Sequence, residues 1–148
     1  MKPHDLKPSH ALKCPAATIL LIDDEAEILD GLTEVLRGAD YACHTASSQE
    51  SAAAVLRGMT PDLIISDINL AGHSGLALCE RLKQEYESLA DVPVMFLSGA
   101  QIPDIIRRSH AAGGTYYLRK PFDPQVLLEL VDKMLWLPHL VGAQLARV

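Results

Sequence analysis

A doubly wound α/β fold, with parallel strands covered by helices on both faces, is the class this sequence predicts, on three observations. Apolar runs of strand length recur five times: Thr18–Ile22, Tyr41–Ala46, Leu63–Ile65, Val92–Leu97 and Thr115–Leu118. Segments with helical spacing separate them, giving five βα units in succession, and that rhythm calls for a parallel sheet. The runs ILLI, LII and VMFL are apolar at every position, as strands covered on both sides of the pleat must be.

The units follow in order. After the first strand, Ile28, Leu29, Leu32, Val35 and Leu36 fall at i, i+1, i+4, i+7 and i+8, the stripe of one helix face. The second strand runs into Ser47, which with Glu50 has the spacing of a capping box and opens the second helix. Leu76, Cys79 and Leu82 mark the third helix, and Ile102, Ile105 and Ile106 the fourth. Asp123 and Pro124, as N-cap and first helical residue, open the fifth. Val126, Leu127, Leu130, Val131 and Met134 supply its apolar stripe, which runs to Trp136 and Leu137 before Pro138 ends it.

Length and composition set the limits. The 148 residues suit one domain, and 49% hydrophobic with 22% charged residues is ordinary for a globular chain. A net charge of −6 argues against a nucleic-acid surface or a polybasic membrane patch, since both need clustered Lys and Arg. No apolar run reaches the roughly 18–20 residues that span a bilayer. Residues 1–16, MKPHDLKPSHALKCPA, lack the apolar stretch of a signal peptide and read as a disordered leader. The domain is expected over 17–137, with 138–148 a tail or linker too short for an output domain. Cys14, Cys43 and Cys79 are odd in number and lack CxxC spacing, so neither a disulfide framework nor a zinc site is expected. Cys43 and Cys79 read as core fillers, and a reducing cytoplasm is the expected location.

In a doubly wound sheet the binding crevice lies outside the carboxyl ends of the strands. The first strand ends in Asp23-Asp24, the third in Asp67, the fourth in Ser98-Gly99 and the fifth in Lys120-Pro121. The second ends only in Ala46-Ser47, which suits an outer position. Three carboxylates therefore converge with one ammonium. Each carboxylate pair costs about 1 kcal/mol at 4 Å in water and about 4 at an effective dielectric of 20. Lys120 offsets one charge, and a hard cation would offset the rest. Oxygen-only ligands with room for water suit Mg²⁺. A lone Asp at a strand end is ordinarily a helix cap; Asp-Asp, Asp, Ser and Lys-Pro at four strand ends in that order is a site.

That constellation resembles the receiver domain of response regulators, the phosphoacceptor module of two-component signalling. The resemblance covers about residues 17–136 and rests on Asp23, Asp24, Asp67, Ser98 and Lys120, with Tyr117 where the family places its aromatic switch residue. It implies the flavodoxin-like strand order 2-1-3-4-5. It implies that Asp67 takes a phosphoryl group from a sensor histidine kinase or a phosphotransfer protein. Asp24, Asp67 and the Asn69 backbone carbonyl would hold Mg²⁺, Asp23 acting mainly through water. Lys120 and Ser98 would contact the phosphoryl oxygens. Ser98 and Tyr117 would then switch the face formed by the fourth helix, fifth strand and fifth helix. The chain would be a phosphoacceptor and not an enzyme with its own substrate. The resemblance also implies a cis Lys120–Pro121 bond.

Some features depart from that pattern. Ala71 stands where the family commonly has Pro, although Gly72 and Gly75 remain for the turn and the helix start. Ser98 replaces the commoner Thr. Asn69 and Ala100 stand where the lifetime of the phosphoryl group is tuned. His73 and His110 read as solvated residues rather than ligands. Trp136, Leu137, Leu140 and Val141 suggest a contact patch, and with it a possible homodimer. Other readings are weaker. A phosphatase of the haloacid-dehalogenase type needs a second Asp where Asn69 stands, and a flavin phosphate would be repelled by Asp23-Asp24-Glu25. A receiver that is never phosphorylated and serves as a protein-interaction module is the remaining alternative.

Overall fold

The computed structural model describes residues 17–99 and 116–136. Within them the chain runs β1 (Thr18–Ile22), α1 (Ala26–Gly38), β2 (Ala42–Ala46), α2 (Gln49–Leu56) and β3 (Leu63–Asp67). A two-stranded ribbon follows, β4 (Asn69–Leu70) and β5 (His73–Ser74), then α3 (Gly75–Glu85), a 3₁₀ turn (Glu87–Leu89) and β6 (Val94–Ser98). The chain closes with β7 (Tyr116–Arg119) and α4 (Pro124–Trp136).

Five strands form one sheet in the order β2-β1-β3-β6-β7, every pairing parallel. Counting these five alone gives 2-1-3-4-5, as the resemblance implied. β2 is an edge strand, so the one strand end without site chemistry lies farthest from Lys120.

The sheet is apolar on both sides because its period of two sends alternate residues to opposite helical layers. Ile19, Leu21, Leu63, Ile65, Met95 and Leu97 pack with Leu29, Leu32 and Leu36 of α1 and Leu127, Val131 and Met134 of α4. Leu20, Ile22, Ile64, Val94 and Phe96 face the other way, onto Ala52 and Leu56 of α2 and Leu76, Cys79 and Leu82 of α3. Cys43 and Cys79 are buried free thiols, as a core-filling role requires. The buried Tyr41 hydroxyl donates to the Asp132 carboxylate, joining the start of β2 to the last helix.

Several boundaries differ from the sequence reading. β1 begins and ends as expected, whereas Tyr41 precedes β2 and Val92 and Pro93 precede β6. The capping box of α2 is not Ser47 with Glu50. Ser48 is the N-cap: its hydroxyl accepts from the Ser51 amide at 3.1 Å, and the Ser51 hydroxyl accepts from the Ser48 amide at 3.0 Å. Two adjacent serines offered two registers, and Ser51 supplies the reciprocal acceptor that was assigned to Glu50. Asp123 does open the last helix, its carboxylate accepting from the Gln125 amide at 2.8 Å. The ribbon was not foreseen, because two-residue strands leave no periodicity to read. Ile102, Ile105, Ile106 and His110, Ala100, and the patch residues from Leu137 onward lie outside the described residues. Among the described residues no helix is long and apolar enough to cross a membrane.

Candidate functional site

Asp23, Asp67 and Ser98 are the charged or hydroxyl-bearing groups that the sheet carries into its buried end, together with Ser66. The register explains why they meet. Ile22 is paired with Ser66, so Asp23 follows β1 beside the last residue of β3. Asp67 is paired with Leu97, so Ser98 stands one position beyond it on the neighbouring strand. Ser98 is in turn paired with Arg119, and its carbonyl accepts from the Lys120 amide at 2.7 Å. Three parallel pairings thus bring residues from the first, third, fourth and fifth units to one edge.

Lys120 lies between two of the carboxylates. Its Nζ donates to Asp67 Oδ2 at 3.0 Å and sits 3.6 Å from Asp23 Oδ2. The second oxygen of each acid is held by the turn that follows it: Asp23 Oδ1 accepts from the Glu25 amide at 2.9 Å, and Asp67 Oδ1 from the Asn69 amide at 3.2 Å. Such turns fix a carboxylate by its own backbone two residues on. The Lys120–Pro121 bond is cis, as the resemblance implied.

The electrostatics are those of a site held at a cost. Burial raises the Asp23 carboxyl above its ordinary range, and the Asp67 and Asp24 charges add to this. The Glu25 amide and Lys120 act in the opposite sense without cancelling it. Burial alone would lower Lys120, but its bond to Asp67 and the nearby charges of Asp23, Asp67 and Glu25 raise it instead. Asp23 Oδ2 is buried without a hydrogen-bond partner, an arrangement that folded proteins rarely leave unexplained.

One acidic run gathers on its own at the end of β1. Oxygens of Asp23, Asp24 and Glu25 lie within 4.8 Å of one another, Asp23 buried and the other two exposed. Asp67 is oriented instead by Lys120 and the Asn69 amide. Glu25 was passed over in the sequence because it sits beyond the Asp-Asp pair; its place in the same acidic run was the available signal. Tyr117 is half-buried and registers with Phe96, on the face of β7 opposite Tyr116 and Leu118. It stands on β7, an edge strand of the sheet.

Gly75 shows how closely α3 is set under the site. Its amide donates to the Ile68 carbonyl at 2.6 Å. A Cβ there would overlap the Asp67 carbonyl oxygen outright and lie 3.1 Å from Ser66 Oγ. Glycine is therefore required at the start of this helix for steric reasons.

The family model described as the response regulator receiver domain matches residues 19–132. The chain belongs to the response regulator receiver family. The phosphate regulon transcriptional regulatory protein PhoB of Pseudomonas aeruginosa is 36% identical to this receiver over 118 residues, 80% of this chain and 51% of that protein. The DNA-binding dual master transcriptional regulator RpaA of Synechocystis is likewise 36% identical, over 79% of this chain and 48% of its own length. The receiver thus spans about half the length of these two curated relatives. Among solved structures, chemotaxis response regulator CheY4 of Vibrio cholerae superimposes with a TM-score of 0.74 at 27% identity, covering 80% of this chain and 98% of that one. A receiver domain from a signal transduction histidine kinase of Syntrophus aciditrophicus does so at 0.72 and 30%, covering 81% and 90%. The same domain therefore occurs in proteins of different architecture, and it is a component of two-component systems.

Proposed function

We propose that this receiver is a phosphoacceptor: Asp67 takes a phosphoryl group from a phosphohistidine on a sensor kinase or phosphotransfer protein. The observation that carries this reading is the Lys120 ammonium 3.0 Å from Asp67 Oδ2 at a strand end that also presents Asp23. A carboxylate is a competent nucleophile towards phosphorus. An Asp67 oxygen forms the new O–P bond as the donor's N–P bond breaks, the electron pair returning to the imidazole nitrogen. The step requires in-line positioning and charge neutralisation more than covalent assistance. The Asn69 amide holds Oδ1, so the carboxylate presents a fixed direction. Lys120 then exchanges its carboxylate partner for a phosphoryl oxygen, and Ser98, one position beyond on the adjacent strand, donates to another.

The donor set fits a magnesium ion. All ligands on offer are oxygens, and one of them, Asp23 Oδ2, is buried without a hydrogen-bond partner. Asp23, Asp24, Asp67 and the Asn69 carbonyl would hold the ion. Its contribution is to neutralise charge on the transferring group. In this reading the chain turns over no substrate of its own, works in the cytoplasm and passes on the signal by a conformational shift. Tyr117 reorients with Ser98 in that shift and alters the face of the last strand and helix. Two charge-assisted hydrogen bonds with the metal contact are of the order of the 5.5 kcal/mol needed to move a population from 1:99 to 99:1.

Incubation with acetyl phosphate and Mg²⁺, followed by intact mass measurement, tests the reading. The wild type is expected to gain one phosphoryl group and Asp67→Asn none. A wild type that stays unmodified, with both acetyl phosphate and a phosphorylated histidine phosphotransfer domain, would leave the protein-interaction module as the better description.

A further inference from the structure

Ser66 is a hydroxyl in a place built for hydrocarbon. It is wholly buried in the middle strand of a doubly covered sheet. On its side of the sheet, Ile64, Ile22 and Phe96 on the strands pack against Leu76 and Cys79 of α3. A hydroxyl buried there is costly unless it is hydrogen-bonded. It is bonded, and to the phosphoacceptor itself: Ser66 Oγ donates to the Asp67 carbonyl oxygen at 3.0 Å.

The sheet ladder explains the need. Ile64 and Ile68 donate to Pro93 and Leu97, so the even positions of β3 bond towards β6. The odd positions therefore bond towards β1. That register stops at Ile22 opposite Ser66, leaving no ladder residue opposite Asp67 on that side. The Asp67 carbonyl leaves the ladder where the chain turns from strand into the Asn69 ribbon, and the neighbouring hydroxyl receives it. α3 closes the pocket from below, since Gly75 has no room for a Cβ against this oxygen. Cys79 stands on the next turn of α3 in the same buried layer, and burial pushes its thiol up to about 12, so it keeps its proton.

We infer that Ser66 is a positioning residue for phosphoryl transfer: by holding the Asp67 carbonyl it fixes the peptide that links the nucleophile to Asn69. That peptide sets the Asn69 amide on Oδ1 at 3.2 Å, and so the direction in which the carboxylate points. Without the hydroxyl, the peptide rotates more freely and the nucleophile occupies its in-line position less of the time. Misplacement of a reacting group by about 1 Å is enough to cost orders of magnitude in rate. This role rests on Asp67 being the phosphoacceptor.

An isosteric pair separates positioning from packing. Ser66→Thr keeps the hydroxyl, whereas Ser66→Val has the same shape without it; Ser66→Ala covers the case in which neither larger residue is accommodated. Phosphorylation by acetyl phosphate with Mg²⁺ is followed by mass, and the Asp67 carbonyl carbon by NMR. Ser66→Thr is expected within about twofold of the wild-type rate. Ser66→Val and Ser66→Ala are expected at least about fivefold slower at saturating donor with the donor half-saturation unchanged, and the carbonyl resonance should shift upfield in both. Equal rates for Thr and Val, or a wild-type rate in Ser66→Ala, would overturn the inference while leaving Asp67 as the acceptor. An unmodified wild type would instead overturn the acceptor reading.

Discussion

At the scale of single residues, the site is a compromise between folding and chemistry. Asp23 is buried with a raised pKa, so the folded protein holds a proton there more tightly than the unfolded chain does. The ionised form therefore lowers stability at every pH above its folded value. As pH falls from that value towards the unfolded 3.8, this group returns stability. Lys120 behaves in the opposite way: its raised pKa contributes stability fully below 10.5, and that contribution is lost as pH climbs through the higher folded value. Asp23→Asn keeps the oxygen that accepts from Glu25 and removes the buried charge. In EDTA at pH 7 it is expected to melt a few degrees above the wild type, each kcal/mol being worth about 3–6 °C at this size. Its stability should also vary less with pH between neutrality and about 4. A lower melting point would show that the attraction of Lys120 outweighs burial. Much of this was legible in the sequence, because carboxylates after apolar strands can converge only at strand ends. The division of labour was not. Whether Lys120 would sit nearer Asp67 or Asp23, and that Glu25 would crowd the second acid, depend on side-chain directions that no spacing encodes.

At the scale of elements, the connection from β3 to α3 departs most from expectation. Ala71 has φ +45° and Gly72 φ +86°, the left-handed pair that lets Asn69–Leu70 fold back on His73–Ser74. Glycine takes such angles freely, but alanine is strained by about 1–2 kcal/mol. Ala71→Gly relieves that strain and adds unfolded-chain entropy, for an expected net gain of about 0.5–1 kcal/mol in urea denaturation. Ala71→Pro should do the reverse. Its ring locks φ near −65°, so the ribbon must open or the protein lose roughly 2 kcal/mol or more. This bears on the family comparison, since proline is the common residue at this position. A proline variant as stable as the wild type would mean that the loop can also follow the proline path and that the ribbon is not obligatory. The capping of α2 carries a related lesson. Ser47-Ser48 is a pair in which either residue could cap, and the choice fell to whichever placed Ala52 and Leu56 in the core. Local motifs name candidates; burial of the helix face selects between them.

For the molecule as a whole, the fold was legible because it depends on few distinctions. Continuous apolar strands require cover on both faces, βα alternation requires parallel pairing, and right-handed crossovers leave few orders. The two core clusters then follow from parity along β1, β3 and β6, odd positions against α1 and α4 and even ones mostly against α2 and α3. Such a molecule is rigid at its centre and carries its electrostatic cost at one edge, so ligands that relieve that cost should stabilise the whole. Binding to the native state alone adds RT ln(1 + [L]/Kd), about 2.7 kcal/mol at a hundredfold excess over Kd. Mg²⁺ is expected to raise the melting temperature by roughly 8–16 °C at that excess, on the same conversion. Beryllofluoride added with Mg²⁺, as a phosphoryl mimic on Asp67, should raise it further by engaging Lys120 and Ser98. In Asp67→Asn the beryllofluoride increment should vanish, because no carboxylate remains to bear the mimic. Calorimetry with and without each ligand decides it. A Mg²⁺ shift that survives in Asp23→Asn/Asp24→Asn would move the cation away from the strand ends. A beryllofluoride shift that survives in Asp67→Asn would move the phosphoryl group away from Lys120.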